Sequence, residues 1–253
     1  MIGAIAGDII GSVYENKPIK TTDFPLFSDG SMFTDDTVLT VAVADALLND
    51  RDYAKFLRIW GRRYPNAGYG KSFITWIAID GHPPYGSWGN GAAMRVSPIG
   101  WVCNSFDEVL AEAECSAVVS HNHPEAIKGA QAVALAVYLA RTGSTKKEIK
   151  TEITARFGYD LERTLDAIRP TYTFDVSCQG SVPESIICFL ESVSYEDAVR
   201  TAVSLGGDSD TMACIAEGIA EAFYVTVPEQ IASQVYDILP VKLKTILDSI
   251  RLN

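Results

Sequence analysis

The chain has 253 residues, with 21 Lys and Arg against 32 Asp and Glu, a formal net charge of -11, and 47% of its residues apolar. That charge argues against a nucleic-acid-binding surface, which needs a basic patch, and no stretch reaches the roughly 18 uninterrupted apolar residues of a membrane span. The length suffices for one large core, and with no linker, low-complexity tract or repeat the expectation is a single domain over residues 1–253.

In chain order, Ile2, Ile5, Ala6, Ile9 and Ile10 recur at helical spacing, with Gly3, Gly7 and Gly11 at every fourth position. The spacing predicts a buried helix whose glycine face lets a neighbour approach closely. Asp8 inside it needs partners, either backbone and hydroxyl donors or a ligand. Residues 12–16 end that helix. Residues 17–30, rich in Pro, Asp and Thr, then form a long connection of the kind that carries function, with Glu15 at its head as a site residue or a solvated helix end. Thr34, Asp35, Asp36 and Thr37 open a helical run over 38–48, and the period returns over 53–64 and 72–80.

Residues 81–91 hold four glycines, two prolines and two aromatics, which excludes a helix or an ordinary strand. Backbone N–H groups there, leading into Ala92, Ala93, Met94 and Arg95, can cradle a phosphate; the alternative is a tight crossing that Trp88 fills. Helices follow over 107–119 and 124–141, the second introduced by Ser120, His121, Asn122 and His123 with Pro124 in its first turn. Thr145 with Glu148 and Ser181 with Glu184 read as capping boxes, and Ser194 with Asp197 as a weaker one. Helical periodicity continues over 160–168, 186–193, 198–205, 212–224, 229–239 and 241–252. Only 171–177 alternates like a strand, so the predicted class is all-α. The basic runs at 58–63 and 145–147 read as solvated helix faces.

Gly206, Gly207, Asp208, Ser209, Asp210 and Thr211 precede the 212–224 helix and match the 34–37 stretch in character. Asp and Thr are good caps, and acids in a first turn suit the helix dipole. Capping needs one such residue, however, and each stretch supplies two carboxylates. If the stretches converge, four carboxylates repel and their pKa values rise unless a cation neutralises them. With oxygen ligands and no Cys or His in either stretch, the chemistry points to Mg²⁺, Mn²⁺ or Ca²⁺ rather than zinc.

The five cysteines show no CxxC spacing and lie mostly in apolar helical sequence, which predicts reduced thiols. The first eight residues lack a basic region and meet Asp8 at once, unlike a signal peptide. A cytoplasmic location is the expectation. Nothing in the pattern resembles a coiled-coil heptad, and the expected state is a monomer.

Five stretches, GDIIGSVYE at 7–15, TDDT at 34–37, WGNGAAMR at 88–95, SH at 120–121 and GGDSDT at 206–211, together resemble the ADP-ribosylglycohydrolase family, in the family's order. The resemblance implies a compact all-α, multi-helix domain with a dinuclear metal site. It implies that Thr34, Asp35, Asp36, Asp208, Asp210 and Thr211 hold two Mg²⁺ ions, with Mn²⁺ as the alternative. Glu15 matches a glutamate used catalytically by members that cleave serine-linked ADP-ribose, with Val13 standing where an aromatic can occur. Members acting on arginine-linked ADP-ribose rely more on the paired aspartates, so Glu15 and Asp36 are the candidate catalytic residues. Gly86, Ser87, Trp88, Gly89, Asn90 and Gly91 are similar to the family's diphosphate-binding loop. Trp88 and His121 would border the adenosine, although Trp88 departs from the tyrosine of some members.

The expected function is a Mg²⁺-dependent hydrolase that frees ADP-ribose from an arginine- or serine-linked ADP-ribosyl protein. Its transition state has oxocarbenium character, which carboxylates stabilise. The alternatives are hydrolysis of small conjugates such as O-acyl-ADP-ribose and a non-catalytic protein that binds ADP-ribose or a related nucleotide.

Overall fold

The computed structural model describes residues 1–251. The helices are α1 (Ile2–Gly11), α2 (Asp35–Leu48), α3 (Tyr53–Arg63), α4 (Lys71–Ala78), α5 (Ser97–Val102), α6 (Phe106–Val118), α7 (Pro124–Arg141), α8 (Lys146–Phe157), α9 (Leu165–Ile168), α10 (Cys178–Glu191), α11 (Tyr195–Ser204), α12 (Ser209–Tyr224), α13 (Glu229–Ile238) and α14 (Val241–Arg251), with a 3₁₀ turn at Asn90–Ala92. The fold is all-α, as the periodicity predicts. The 241–252 helix is observed to Arg251, and Leu252 lies outside the described residues. Among the described residues no helix is long and apolar enough to cross a membrane.

The pair α1 and α12 forms the centre. Every residue of α1 is buried, and its glycine face is what permits the contact. A Cβ on Gly7 would lie 2.2 Å from the Ala213 carbonyl oxygen, and one on Gly11 would lie 2.4 Å from that of Ser209. Two backbones therefore meet where side chains would hold them apart. The consequence is local to the acids: Asp8 on α1 and Asp210 on α12 are brought together in the interior. α7, α10, α11, α2 and α5 surround this pair. α5 has no counterpart among the predicted elements, because its six residues are too short for a periodic pattern; Gly100 within it packs against the Ala134 carbonyl of α7.

Several local expectations are corrected. Ser181 does not begin a helix. α10 starts three residues earlier, with the Ser177 side chain accepting from the Gly180 amide, and the Ser181 hydroxyl donates to the Ser177 carbonyl at 2.7 Å. Glu184, its expected box partner, instead pairs with Arg163 at 2.6 Å. Of the 160–168 segment only α9 is helical, because the Thr164 side chain caps it from the Ala167 amide. The 171–177 segment meets no partner strand, and only Ser177 bridges, to Gly89.

The basic runs are not merely solvated. The Arg58 guanidinium sits 3.9 Å from the Trp76 ring centroid, and the Lys146 ammonium donates to the Phe189 carbonyl at 2.7 Å. By contrast the Thr145–Glu148 capping box is complete in both directions, and Ser194 accepts from the Asp197 amide as expected. The 17–30 connection is tied down by Lys20, whose ammonium donates to the Tyr172 carbonyl at 2.6 Å and to that of Leu205.

Candidate active site

The starts of α2 and α12 converge on the floor of one cavity of about 640 Å³. At the first start, Asp8 pins the backbone. Its Oδ1 accepts from the Thr34 hydroxyl at 2.7 Å and its Oδ2 from the amides of Thr34 and Thr37 at 2.9 and 3.0 Å, with the Thr37 hydroxyl donating as well. Thr34 in turn caps α2, accepting from the Asp36 amide at 3.3 Å. This network turns Asp36 inward, where its Oδ2 accepts from the Thr211 hydroxyl at 3.2 Å. Its buried Oδ1 has no hydrogen-bond partner. At the second start, Asp208 occupies the cap position without capping; its Oδ2 accepts instead from the Asn90 side-chain amide at 2.7 Å.

Two groups of carboxylates result. Asp8, Asp36 and Asp210 each offer an oxygen within 4.8 Å of the others, and so do Glu15, Asp208 and Asp210, so that Asp210 belongs to both. Burial, and after it the charge of Asp210, pushes Asp35, Asp36 and Asp208 well above the usual carboxylate range and raises Glu15. The same two causes lift Asp8 to about 7 against the pull of its hydroxyl donors. Acids this close cannot all carry charge without a compensating cation. The unpartnered oxygen of Asp36 and the all-oxygen donor set fit a hard divalent ion.

The cavity collects nearly all the residues singled out in the sequence. Glu15, Asp35, Asp36, Asp208, Asp210 and Thr211 line it together with Gly86, Ser87, Trp88, Gly89, Asn90, Gly91 and His121, and Asn90 joins the two sets through Asp208. Thr34 stands behind the lining, engaged with Asp8. Asp35 faces the cavity beside Gly68 but belongs to neither carboxylate group.

The glycine-rich loop is more self-satisfied than a simple anion cradle. Gly86 N–H donates to the Asn122 side chain at 2.8 Å, Gly89 N–H to the Ser87 hydroxyl at 3.1 Å, and Asn90 N–H to the Val176 carbonyl at 2.8 Å. The amides of Ser87 and Trp88 remain without a protein acceptor. Gly86 has φ +69°, which a side chain would strain. A Cβ on Gly91 would come within 3.2 Å of His121 Nε2.

Arg95 is fully buried and orients the histidine. Its Nη2 donates to the Ser116 carbonyl at 2.7 Å and to the Ser120 hydroxyl at 3.1 Å. The same hydroxyl oxygen lies 2.8 Å from His121 Nδ1 and so fixes the ring's orientation. Its other nitrogen, Nε2, faces Gly91. Burial, with Arg95 nearby, holds His121 well below its ordinary pKa, so the ring is neutral.

Sequence reasoning missed part of the wall. Gly68, Gly70, Lys71, Ser72 and Phe73 come from the turn into α4, and Phe174 and Val176 from the strand-like 171–177 segment. Unpaired Gly68 and Gly70 before a helix were the available signal in the first case. In the second, a hydrophobic alternation with no partner strand is equally a rim of exposed apolar side chains. Asp8 was weighed as a structural acceptor or a site residue, and the geometry gives it both contacts at once.

A helical fold that buries shared carboxylates in the wall of a cavity, with a glycine-rich loop beside them, has the donor set to hold a divalent cation. The family model for ADP-ribosylglycohydrolase matches residues 1–250, and the chain belongs to the ADP-ribosylglycohydrolase family and is a glycohydrolase. It is similar to ADP-ribosylhydrolase ARH3 of Mus musculus, with 27% identity over 305 residues covering 88% of this chain and 82% of that protein. It is also similar to ADP-ribosylarginine hydrolase Tri1 of Pseudomonas putida (strain GB-1), with 24% identity covering 88% and 69%. In fold it is similar to a solved ADP-ribosylglycohydrolase-related protein complex, at TM-score 0.72 and 22% identity over 94% of this chain and 95% of that one.

Proposed function

We propose that residues 1–253 act as one domain that hydrolyses the bond between ADP-ribose and the side chain of a modified protein, with serine- or arginine-linked ADP-ribose as substrate and two Mg²⁺ ions as cofactor. Mn²⁺ suits the same ligands. The observation that carries this reading is the pair of carboxylate groups sharing Asp210, with the unpartnered Asp36 oxygen between α2 and α12. Thr34, Asp35, Asp36, Asp208, Asp210 and Thr211 would hold the ions. When bound, such ions hold ribose hydroxyls and lower the pKa of a water.

The chain's own groups then divide the work. Asp36 and Asp210 stabilise positive charge developing at the anomeric carbon as the bond to the acceptor weakens. Glu15 sits half-buried in the wall of this cavity beside Asp208 and Asp210, where its carboxylate can take a proton from the attacking water. The water oxygen bonds to the anomeric carbon, the bond to the acceptor oxygen or nitrogen breaks, and the acceptor atom gains a proton overall. In the glycine-rich loop, the Ser87 and Trp88 amides face the diphosphate, while Trp88 and neutral His121 flank the adenosine.

ADP-ribose release from matched arginine-linked and serine-linked peptides, with Mg²⁺ and with EDTA, tests the reading. Metal-dependent release is expected, and the faster peptide assigns the linkage. Release that persists in EDTA removes the metal from the account. Release only from a small conjugate such as O-acyl-ADP-ribose removes the protein substrate.

A further inference from the structure

A second cavity of about 430 Å³ adjoins the first. Phe174 lines both, and its ring is 53% exposed between them. Tyr172, also in the second cavity, packs over Gly207, where a Cβ would lie 2.4 Å from its ring. Gly207 directly precedes Asp208, and Val176, two residues beyond Phe174, accepts from the Asn90 amide, so the second cavity lies where the acidic floor of the first meets the loop.

The lining of this second cavity has a definite chemistry. Ala167, Ile168, Tyr172 and Phe174 supply apolar walls, and Asp175 and Glu184 supply carboxylates. Glu184 is 5% exposed, and only one of its oxygens is engaged, by Arg163 at 2.6 Å. Its Oε2 is buried with no hydrogen-bond partner. Arg163 is itself shared, lying 3.7 Å from Asp160. The lining thus carries two acids against one base, with a free acceptor on a buried carboxylate. A methylene stem against an aromatic wall, ending in a cation, matches both features.

We infer that this cavity is an acceptor-side subsite for a lysine or arginine side chain that flanks the modified residue of the substrate peptide. The ammonium or guanidinium donates to Glu184 Oε2, and its stem lies along Ile168 and Phe174. The inference rests on the protein-substrate reading above and narrows it, because it gives the enzyme a preference for acceptor peptides with a basic neighbour.

The test uses two fluorescent ADP-ribosyl peptides, identical except that one carries lysine and the other norleucine beside the modified residue. Affinity is followed by polarisation and ADP-ribose release in parallel. The parent is expected to bind the lysine peptide about fivefold more tightly, as for a partly screened ion pair. Glu184→Gln should bind the two equally, while binding the norleucine peptide as the parent does. Because Glu184→Gln also weakens the Arg163 pair, Ala167→Lys is the second variant. It leaves Glu184 intact, places a cation in the cavity from the exposed face of α9, and should abolish the preference. Equal binding of both peptides by the parent overturns the inference, as does a preference that survives both variants. A preference for lysine without release in Mg²⁺ leaves the subsite standing and overturns the hydrolytic reading. Full competition by free spermidine overturns the peptide assignment in favour of a small polycation.

Discussion

Two helix starts in this molecule look alike on paper and have opposite fates. At α6, Ser105 caps by accepting from the Glu108 amide at 3.2 Å, while Asp107 is exposed to water. At α2, Thr34 caps in the same manner, yet Asp36 is buried with an unpartnered oxygen. The start of α12 goes further, since Asp208 gives up the cap altogether and turns to Asn90. At α6 the acids serve the helix dipole. At α2 and α12 they stand in a low-dielectric interior, where their mutual repulsion is strong and a cation is the natural remedy.

The largest effect that would break this contrast is catalytic. Asp210→Asn removes the residue common to both carboxylate groups, and turnover should fall by about 10³-fold or more, the scale of losing a key electrostatic group. Circular dichroism should be unchanged. In EDTA the variant should melt at a higher temperature than the parent, because one source of buried repulsion is gone. Retained turnover would separate the acids from the chemistry.

Next in size is the packing that creates the contrast. Gly7→Ala forces a methyl into the α12 backbone and should cost about 3 kcal/mol or more, read as a lower denaturant midpoint. A neutral result would mean that the α1–α12 backbones stand further apart than a direct contact requires.

The pH dependence of stability sharpens the comparison further. Burial raises Asp8 from 3.8 to about 7 and pushes Asp35, Asp36 and Asp208 in the same direction. With folded pKa values above unfolded ones, the folded state holds more protons between these limits, so stability falls as pH rises through that window. Melting temperature in EDTA should therefore drop from about pH 4 to about pH 7, and Mg²⁺ should remove the drop. A flat profile in EDTA would show that the acids do not repel. The smallest effect belongs to the surface start: Asp107→Asn should change stability by under about 0.5 kcal/mol and leave turnover unaltered.

Much of this was legible in the sequence. The helical period is strong where a helix has one buried stripe, as in α3, α11 and α13, and the glycine spacing of α1 announced a close contact. The paired acids and the glycine-rich loop marked most of the cavity wall. What the sequence could not separate was an exposed capping acid from a buried, clustered one, because α2 and α6 begin with the same residue types. The difference lies in which neighbour covers the start, and that is a tertiary fact set by α1 crossing α12. Local rules also failed where a competing residue came first: Ser177 took the cap that Ser181 was expected to supply. The subsite around Glu184 had no local signal, since its walls come from α9, α10 and the 171–177 segment.

The central claim is that Asp210 joins two cation positions. Crystals of the parent grown with Mn²⁺ and measured for anomalous scattering test it most directly. Two peaks are predicted, both within bonding distance of the Asp210 carboxylate, one on the Asp36 side and one towards Asp208 and Glu15. A map with no peak at Asp210, at Mn²⁺ concentrations that support turnover, would contradict the account.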